Sequence, residues 1–478
     1  MAKFSIENFG CRTTDADAAA IRRDLLAAGL SLASDPAHAD VVVLNTCTVT
    51  AAADAQARET VRKIVRANPA ARIVVTGCYA QRAPEEIAAL EGVSWVVGNS
   101  QQHQIPSLVR GLISPAAAPE FKTLGSLAAL SGDFIPLANF DSDAMSLARG
   151  PAKIITGDIF AQASITIAAG ERNDGDRTRP ILKIQDGCNN RCSYCVIPFV
   201  RGASRSLPPD QVIASVQNLI ASGAKEIVLS GINLGAYGRD LAPRASLAKV
   251  IQCVLKETSL ERLRFSSIEP QDVTEDFVAQ AAASPRIARH FHIPLQSGSD
   301  RILRGMHRWY RAGHYAERVA LIRRLLPDAS IGADVIVGFP GETQDDFSAT
   351  LDFISALPLS YLHVFSFSER PGTAAETLDA PRVPGHVIRE RARTLRGLSD
   401  KRASEFRASQ AGSVERVITL ARGGDNWTEA LTGNYLKVRL AGGYAPNEWH
   451  DAVVPGNTCE IVAPLDREMA TPVTCVAG

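Results

Sequence analysis

The densest concentration of reactive side chains in this 478-residue chain is Cys188-Asn189-Asn190-Arg191-Cys192-Ser193-Tyr194-Cys195. Three thiols on one tight loop can hold three irons of a four-iron cluster, leaving the fourth iron without a protein ligand and open to a small molecule. A zinc loop is the competing reading, but zinc usually takes a fourth Cys or His nearby and favours paired CxxC spacing. Cys188, Cys192 and Cys195 are therefore the expected catalytic metal ligands.

A second set is visible only by position. Cys11, Cys47 and Cys78 each follow an apolar run, NFG, LNT and VTG. In an open parallel sheet the carboxyl ends of the strands line one crevice, so residues far apart in sequence converge there. Taken singly, each of these cysteines reads as a small buried hydrophobe. Their recurrence at three strand ends argues for a second three-thiolate metal site. Cys253, Cys459 and Cys475 show no ligand spacing and read as ordinary residues. Nine cysteines are too sparse for a disulfide scaffold in so long a chain.

These residues need a scaffold, and the apolar rhythm supplies one. Residues 1–114 alternate strand-like runs (FSIENF, VVVLN, RIVVTG, SWVVG) with helical patterns, which predicts a parallel-sheet unit of flavodoxin or Rossmann type. Residues 115–179 turn into Ala, Gly, Ser and Asp-rich text and read as a linker. From 180 to 410 the rhythm returns in PILKIQD, EIVLSG, RLRFSS, HFHIPL, SIGADVIVGF and YLHVFSF, giving six strand-helix repeats, a partial (β/α)6 barrel trailed by a basic helix. Residues 411–478 switch to short alternating segments between Gly, Asn and Pro turns, the pattern of a small all-β module. The fold class is thus α/β with a β appendage. A net charge of zero, 46% apolar and 21% charged residues describe a globular chain with no global field toward a polyanion. Without a signal-peptide layout or a long apolar run, the expected location is cytoplasmic.

Several longer stretches, NTCTVT, TGCYAQ, KIQDGCNNRCSYCVIPFVRG, SGINLGAYG, RFSSIEP, HIPLQSGSDRILRGMHRWY, ADVIVGFPGET and FSFSERPGT, follow one another in an order that resembles the radical-SAM methylthiotransferase family over nearly the whole chain. The resemblance implies two [4Fe-4S] clusters, one on Cys11, Cys47 and Cys78 and one on Cys188, Cys192 and Cys195, together with S-adenosylmethionine. It implies reductive cleavage of S-adenosylmethionine to a 5'-deoxyadenosyl radical and delivery of a methylthio group to a tRNA base. It also implies that the terminal β module is a TRAM unit that grips RNA, in which case removing the chain from about Ser413 weakens RNA binding and leaves S-adenosylmethionine cleavage intact. Thr48, Val49 and Thr50, with Ser266 to Pro270, resemble the branch acting on threonylcarbamoyladenosine at tRNA position 37. The alternatives are isopentenyladenosine in tRNA, an aspartate of a ribosomal protein, and a non-enzymatic iron-sulfur RNA-binding protein.

The implied partners are the tRNA anticodon loop and an electron donor such as flavodoxin or ferredoxin, with the sulfur source open. By the same resemblance Tyr194, just before the third cysteine, can pack its ring on the adenine of S-adenosylmethionine, and Ser230, Gly231, Glu269 and Gln296 are candidate cofactor and substrate contacts that read equally as turn, cap or helix-start residues. Arg301, Arg304, His307, Arg308 and Arg311 form a basic helical stretch that either tracks phosphate or is simply solvated. Three departures from the family pattern stand out, one being a linker from Pro115 to Arg179 longer than the family norm. Thr14 replaces an expected Asn three residues after Cys11. The tail module offers Arg416, Arg422, Lys437, Arg439 and Arg467 against eight acidic residues, which does not favour RNA.

Overall fold

The computed structural model describes residues 2–113, 152–162, 165 and 178–465. They fall into two compact units, the described residues of Met1–Thr48 with Ala52–Gln162, and those of Val49–Ala51 with Ala163–Gly478.

In the first unit, six strands, β1 (Lys3–Asn8), β2 (Ser31–Leu32), β3 (Val41–Thr46), β4 (Arg72–Gly77), β5 (Val93–Gly98) and β6 (Lys153–Ile155), form a parallel sheet in the order β2-β1-β3-β4-β5-β6. The crossovers include α1 (Arg12–Ala27), α2 (Ala51–Ala67), α3 (Cys78–Arg82), α4 (Pro84–Ala88) and α5 (Ile105–Ile113). Every residue of β3 is buried, as a strand covered by helices on both faces requires. The strand order reverses between β1 and β3, and in doubly wound sheets that reversal opens a crevice at the carboxyl ends.

One boundary differs from the sequence expectation. Lys153–Ile155 lies inside the stretch read as a linker, yet it pairs with β5 from Trp95↔Lys153 to Val97↔Ile155. Three residues of strand in Ala and Gly-rich text carry too little periodicity to announce themselves. Most of the remaining stretch from Pro115 to Arg179 lies outside the described residues.

The second unit contains six parallel strands, β7 (Ile181–Lys183), β10 (Glu226–Ser230), β11 (Arg262–Phe265), β12 (His290–His292), β13 (Ser330–Val337) and β14 (Tyr361–Ser366), with a small hairpin of β8 (Gln185–Asp186) and β9 (Arg205–Ser206). Hydrogen bonds from Leu263 N to Arg286 O (2.7 Å) and Ile268 N to His292 O (2.9 Å) join β11 to β12, so the six run in chain order. Between them lie α6 (Ile197–Arg201), α7 (Pro209–Ala221), α8 (Leu247–Glu257), α9 (Glu275–Ala283), α10 (Asp300–Gly305), α11 (Ala312–Leu325) and α12 (Gln344–Ala356), and α13 (Gly385–Gln410) follows the last strand. This is the expected six-repeat open barrel. Ile227, Leu229, Leu263, Phe265, Phe291, Ile331, Ala333 and Val335 share one core with the helices. Alternation along each strand then turns Glu226, Arg262, Arg264, His292, Asp334 and His363 to the inner face.

That polar interior has a floor. β15 (Val414–Gly424), β16 (Trp427–Leu431), β17 (Lys437–Ala441), β18 (Trp449–Val453), β19 (Ile461–Val462) and β20 (Pro464–Leu465) order as β19-β17-β16-β15-β18-β20. Because β19 and β20 are separated by one residue yet pair at opposite edges, the sheet closes on itself as a small barrel. Its β16–β17 turn packs beneath the parallel strands. Arg264 donates to Gly433 O and Thr432 O, both at 3.1 Å, and Arg262 donates to Arg416 O at 2.6 Å. Tyr435 stacks on His290 with centroids 4.3 Å apart. The module is therefore part of the barrel's base.

Glu226 is the counter-charge of this floor, 2.8 Å from Arg264, 3.2 Å from Arg179 and 3.4 Å from Arg262. Burial alone would raise its pKa, but the three guanidinium groups overcome that and hold it at about 2. Breaking a buried pair leaves uncompensated charge and costs about 3–5 kcal/mol. Glu226→Ala should lower the unfolding free energy of the second unit, read from urea denaturation, by that order. The wild-type contribution is present above the ordinary Glu value of 4.5 and is lost as pH falls through about 2, so the variant's deficit should shrink on acidification.

Candidate active site

The loop carrying Cys188, Cys192 and Cys195 leaves the barrel directly after the first strand and is fixed from below. Asp186 is buried and accepts from Lys183 Nζ (2.9 Å), Arg201 Nη1 (3.1 Å) and the Gly187 N–H (2.8 Å). Gly187 has φ of +71°, and a Cβ there would lie 2.0 Å from Ala203 O. No side chain fits that approach. Gln185 donates to the carbonyls of Asp186 and Gly187 and accepts from Asn233 N, tying the loop to the end of β10. Gly231 leaves room for this, since its Cβ would meet Gln185 Oε1 at 2.8 Å.

The far side of the loop is clamped by Ser193, whose N–H reaches Met306 O and whose hydroxyl reaches Gly305 O. Tyr194 packs on Ile302, Met306, Phe339 and Ala375. Arg308 donates to Cys192 Sγ at 3.2 Å and pairs with Glu269. Burial pushes the Cys195 thiol up to about 12, with Cys192 beside it adding to the rise, and burial likewise raises Cys188 and Cys192. Buried thiols of this kind become thiolates when a metal centre supplies the positive charge.

A four-iron cluster fits this donor set better than a single ion. Tetrahedral zinc with bonds of about 2.3 Å draws its sulfurs to about 3.8 Å apart. Among the described residues, the one set of His, Cys, Asp or Glu ligand atoms lying within 4.8 Å of one another contains no cysteine. Next to the loop, the buried Ser230 Oγ, Asn233 Oδ1 and Ser266 Oγ have no hydrogen-bond partner, as a site awaiting a polar ligand would. Glu269 is held by Arg308, and burial raises its pKa. Gln296 has φ of +67°, unusual for a side chain of its size.

In the first unit, Cys11, Cys47 and Cys78 follow β1, β3 and β4, which are neighbours in the sheet. Cys11 caps α1 and Cys78 begins α3, while a Cβ on Gly10 would touch Cys47 Cβ at 2.9 Å. Gly77, φ +99°, allows β4 to close on Thr46. Asn45 donates to Asn8 Oδ1 (2.9 Å) and Thr14 O (2.8 Å), and Thr14 Oγ1 donates to Cys11 O (2.7 Å). Thr14 thus anchors the Cys11 turn. Thr48 Oγ1 donates to Asp54 and accepts from Arg82, which fixes the turn after Cys47 against the helix that Cys78 begins.

Residues 3–98 match Uncharacterized protein family UPF0004, and residues 182–354 match the Radical SAM superfamily. A Bacillus subtilis (strain 168) protein named threonylcarbamoyladenosine tRNA methylthiotransferase MtaB is 34% identical over 92% of this chain and 91% of its own length. The chain belongs to the radical-SAM methylthiotransferase family. Another relative, the tRNA-2-methylthio-N(6)-dimethylallyladenosine synthase of Thermobifida fusca (strain YX), is 33% identical over 87% of this chain and 77% of its own length. The fold is shared with the radical S-adenosylmethionine methyltransferase TsrM of Kitasatospora setae, solved with cobalamin and a [4Fe-4S] cluster bound. There the TM-score is 0.55 at 15% identity, covering 78% of this chain and 77% of that one.

The structure of this methylthiotransferase also redistributes the basic stretch. Arg308 is buried on Cys192, Arg301 pairs with Asp346, and Arg311 Nη1 donates to Tyr310 O, while Arg304 and His307 are exposed. Arg308 thus departs from both the phosphate-tracking and the solvated-face expectations. In the terminal module, Arg416 pairs with Glu261, Lys437 with Glu429, and Arg439 lies over Trp427, while Arg422 is exposed and Arg467 and Cys475 lie outside the described residues. Asn233 is a site residue that sequence reading missed. Its only signal was its place just past a strand end. Because Gly187 alone permits the approach beneath the loop, Gly187→Ala should leave the protein folded but cut the anaerobically reconstituted iron from about eight to about four per chain. Full iron retention would show that the loop tolerates the shift.

Proposed function

We propose that this methylthiotransferase converts N6-threonylcarbamoyladenosine at position 37 of tRNA to its 2-methylthio derivative. The share of the relatives' own length that is matched supports this reading over the dimethylallyladenosine one: 90–97% for the threonylcarbamoyladenosine methylthiotransferases against 77–87% for the dimethylallyladenosine synthases.

The geometry above supports the following residue roles. Cys188, Cys192 and Cys195 hold one four-iron cluster and leave one iron for S-adenosylmethionine, and Cys11, Cys47 and Cys78 hold the second. Carbon 2 of adenine is far too weak an acid for any side-chain base, so hydrogen must leave by a one-electron route. When bound, the open-iron cluster supplies the electron that cleaves the sulfonium of S-adenosylmethionine.

The chain's own groups prepare that event. Tyr194 and the Ile302, Met306 and Phe339 cluster give the loop an apolar backing that limits water. Arg308 places positive charge beside Cys192 while Glu269 keeps its guanidinium oriented. Ser230, Asn233 and Ser266 offer buried polar atoms, and Ser230 and Gly231 position the end of β10, for the cofactor's amino acid and ribose groups. Gln296 stays in the left-handed region at a cost of about 1–3 kcal/mol, which suits a residue held for contact with cofactor or base. The electron comes from a small carrier such as flavodoxin or ferredoxin, and the reaction is cytoplasmic.

Nucleoside mass spectrometry of tRNA from a strain lacking this chain tests the reading. The 2-methylthio derivative of threonylcarbamoyladenosine should vanish and return on complementation. Loss of the methylthio group from dimethylallyladenosine instead would overturn the substrate assignment.

A further inference from the structure

Deeper in the barrel, the inner face carries a cluster that the cysteine chemistry does not use. We propose that His292, Asp334 and His363 form a mononuclear divalent-metal site for a cation of the zinc or iron(II) class.

The three donors come from adjacent strands. His292 ends β12, and Asp334 and His363 are register partners on β13 and β14. His292 Nε2 lies 3.1 Å and His363 Nδ1 3.3 Å from the same oxygen, Asp334 Oδ1. All three ligand atoms lie within 4.8 Å of one another. Nitrogen and oxygen donors sharing one transition-metal ion at about 2.0–2.1 Å sit about 2.9–3.4 Å apart, octahedral to tetrahedral, and both His–Asp334 pairs have that spacing.

Both imidazoles lie close enough to Asp334 for direct hydrogen bonds, and the alignment of His292 suits a shared cation. His292 is 8% exposed, and its Nε2 lies 3.1 Å from the Asp334 carboxylate but is poorly aligned for a direct hydrogen bond to it. Its other nitrogen, Nδ1, is 2.6 Å from Ser267 Oγ. With Nδ1–H donated to that hydroxyl, Nε2 presents a lone pair toward the carboxylate. In the other tautomer Ser267 donates to Nδ1 and Nε2–H faces Asp334, so a bound cation selects the first. Orientation of a metal-bound imidazole through its second nitrogen is the usual outer support of such sites. His363 is exposed, so the cluster is reachable from solvent.

Two imidazoles and one carboxylate leave coordination positions open. On the substrate reading above, those positions take the carboxylate and hydroxyl oxygens of the threonylcarbamoyl group.

The test is a cobalt(II) titration of protein already loaded with both iron-sulfur clusters, followed by visible absorption and elemental analysis. Wild-type protein should take up about one further equivalent. His363→Gln and Asp334→Asn should weaken uptake by at least about tenfold, and His363→Cys should restore it with a thiolate charge-transfer band. Because His363 is exposed, its variants should unfold at the wild-type temperature. Absence of the extra equivalent in wild type, or the same titration in His363→Gln, overturns the site. A second arm measures binding of anticodon stem-loops with and without the threonylcarbamoyl group. Metal should tighten only the modified one, and equal effects overturn the substrate clause while leaving the metal site. Neither arm depends on turnover, so both are separable from failure of the proposed function.

Discussion

The catalytic loop depends on the burial of one carboxylate, Asp186, among three cations. Burial alone would favour its neutral form, but Lys183, Arg201 and Arg205 keep it ionised. The charge in turn holds Lys183 and Arg201 inside the protein and takes the Gly187 N–H, so it sets where the chain turns toward Cys188. Removing either sign would leave buried charge of the other, which is far more costly than any single hydrogen bond. A cluster-binding loop needs this rigidity, because three thiols that wander would accept single ions or cross-link.

The same principle recurs below. The barrel's inner face is polar at every level, from the Ser230 and Ser266 rim through the His292 layer to Glu226 and its arginines. A parallel barrel normally fills its interior with branched apolar chains. Here the lower layer is neutralised by ion pairing and by carbonyls of the terminal β module, and the upper layers are left for ligands. The module is therefore structural before it is anything else, which agrees with its lack of net positive charge. No helix among the described residues is long and apolar enough to cross a membrane.

Much of this was legible in the sequence. EIVLSG and SIGADVIVGF read as strands because β-branched runs bounded by turn residues have few other uses. Cys11, Cys47 and Cys78 could be grouped because strand ends in a parallel sheet share one crevice. The illegible parts have physical causes. In RLRF the period of two shows that Arg262 and Arg264 share a face, but not that a module 150 residues later covers it. Arg308 lies in a basic stretch that mimics a solvated helix, and only the inward alternation of Met306, Arg308 and Tyr310 places it on Cys192.

The central claim is a division of labour between two cysteine sets, one for cleaving S-adenosylmethionine and one for sulfur delivery. The most direct measurement is the product profile of Cys47→Ala, reduced anaerobically with S-adenosylmethionine and threonylcarbamoyl-modified tRNA. The account predicts continued formation of 5'-deoxyadenosine with no methylthiolated nucleoside. Normal methylthiolation by that variant would contradict it.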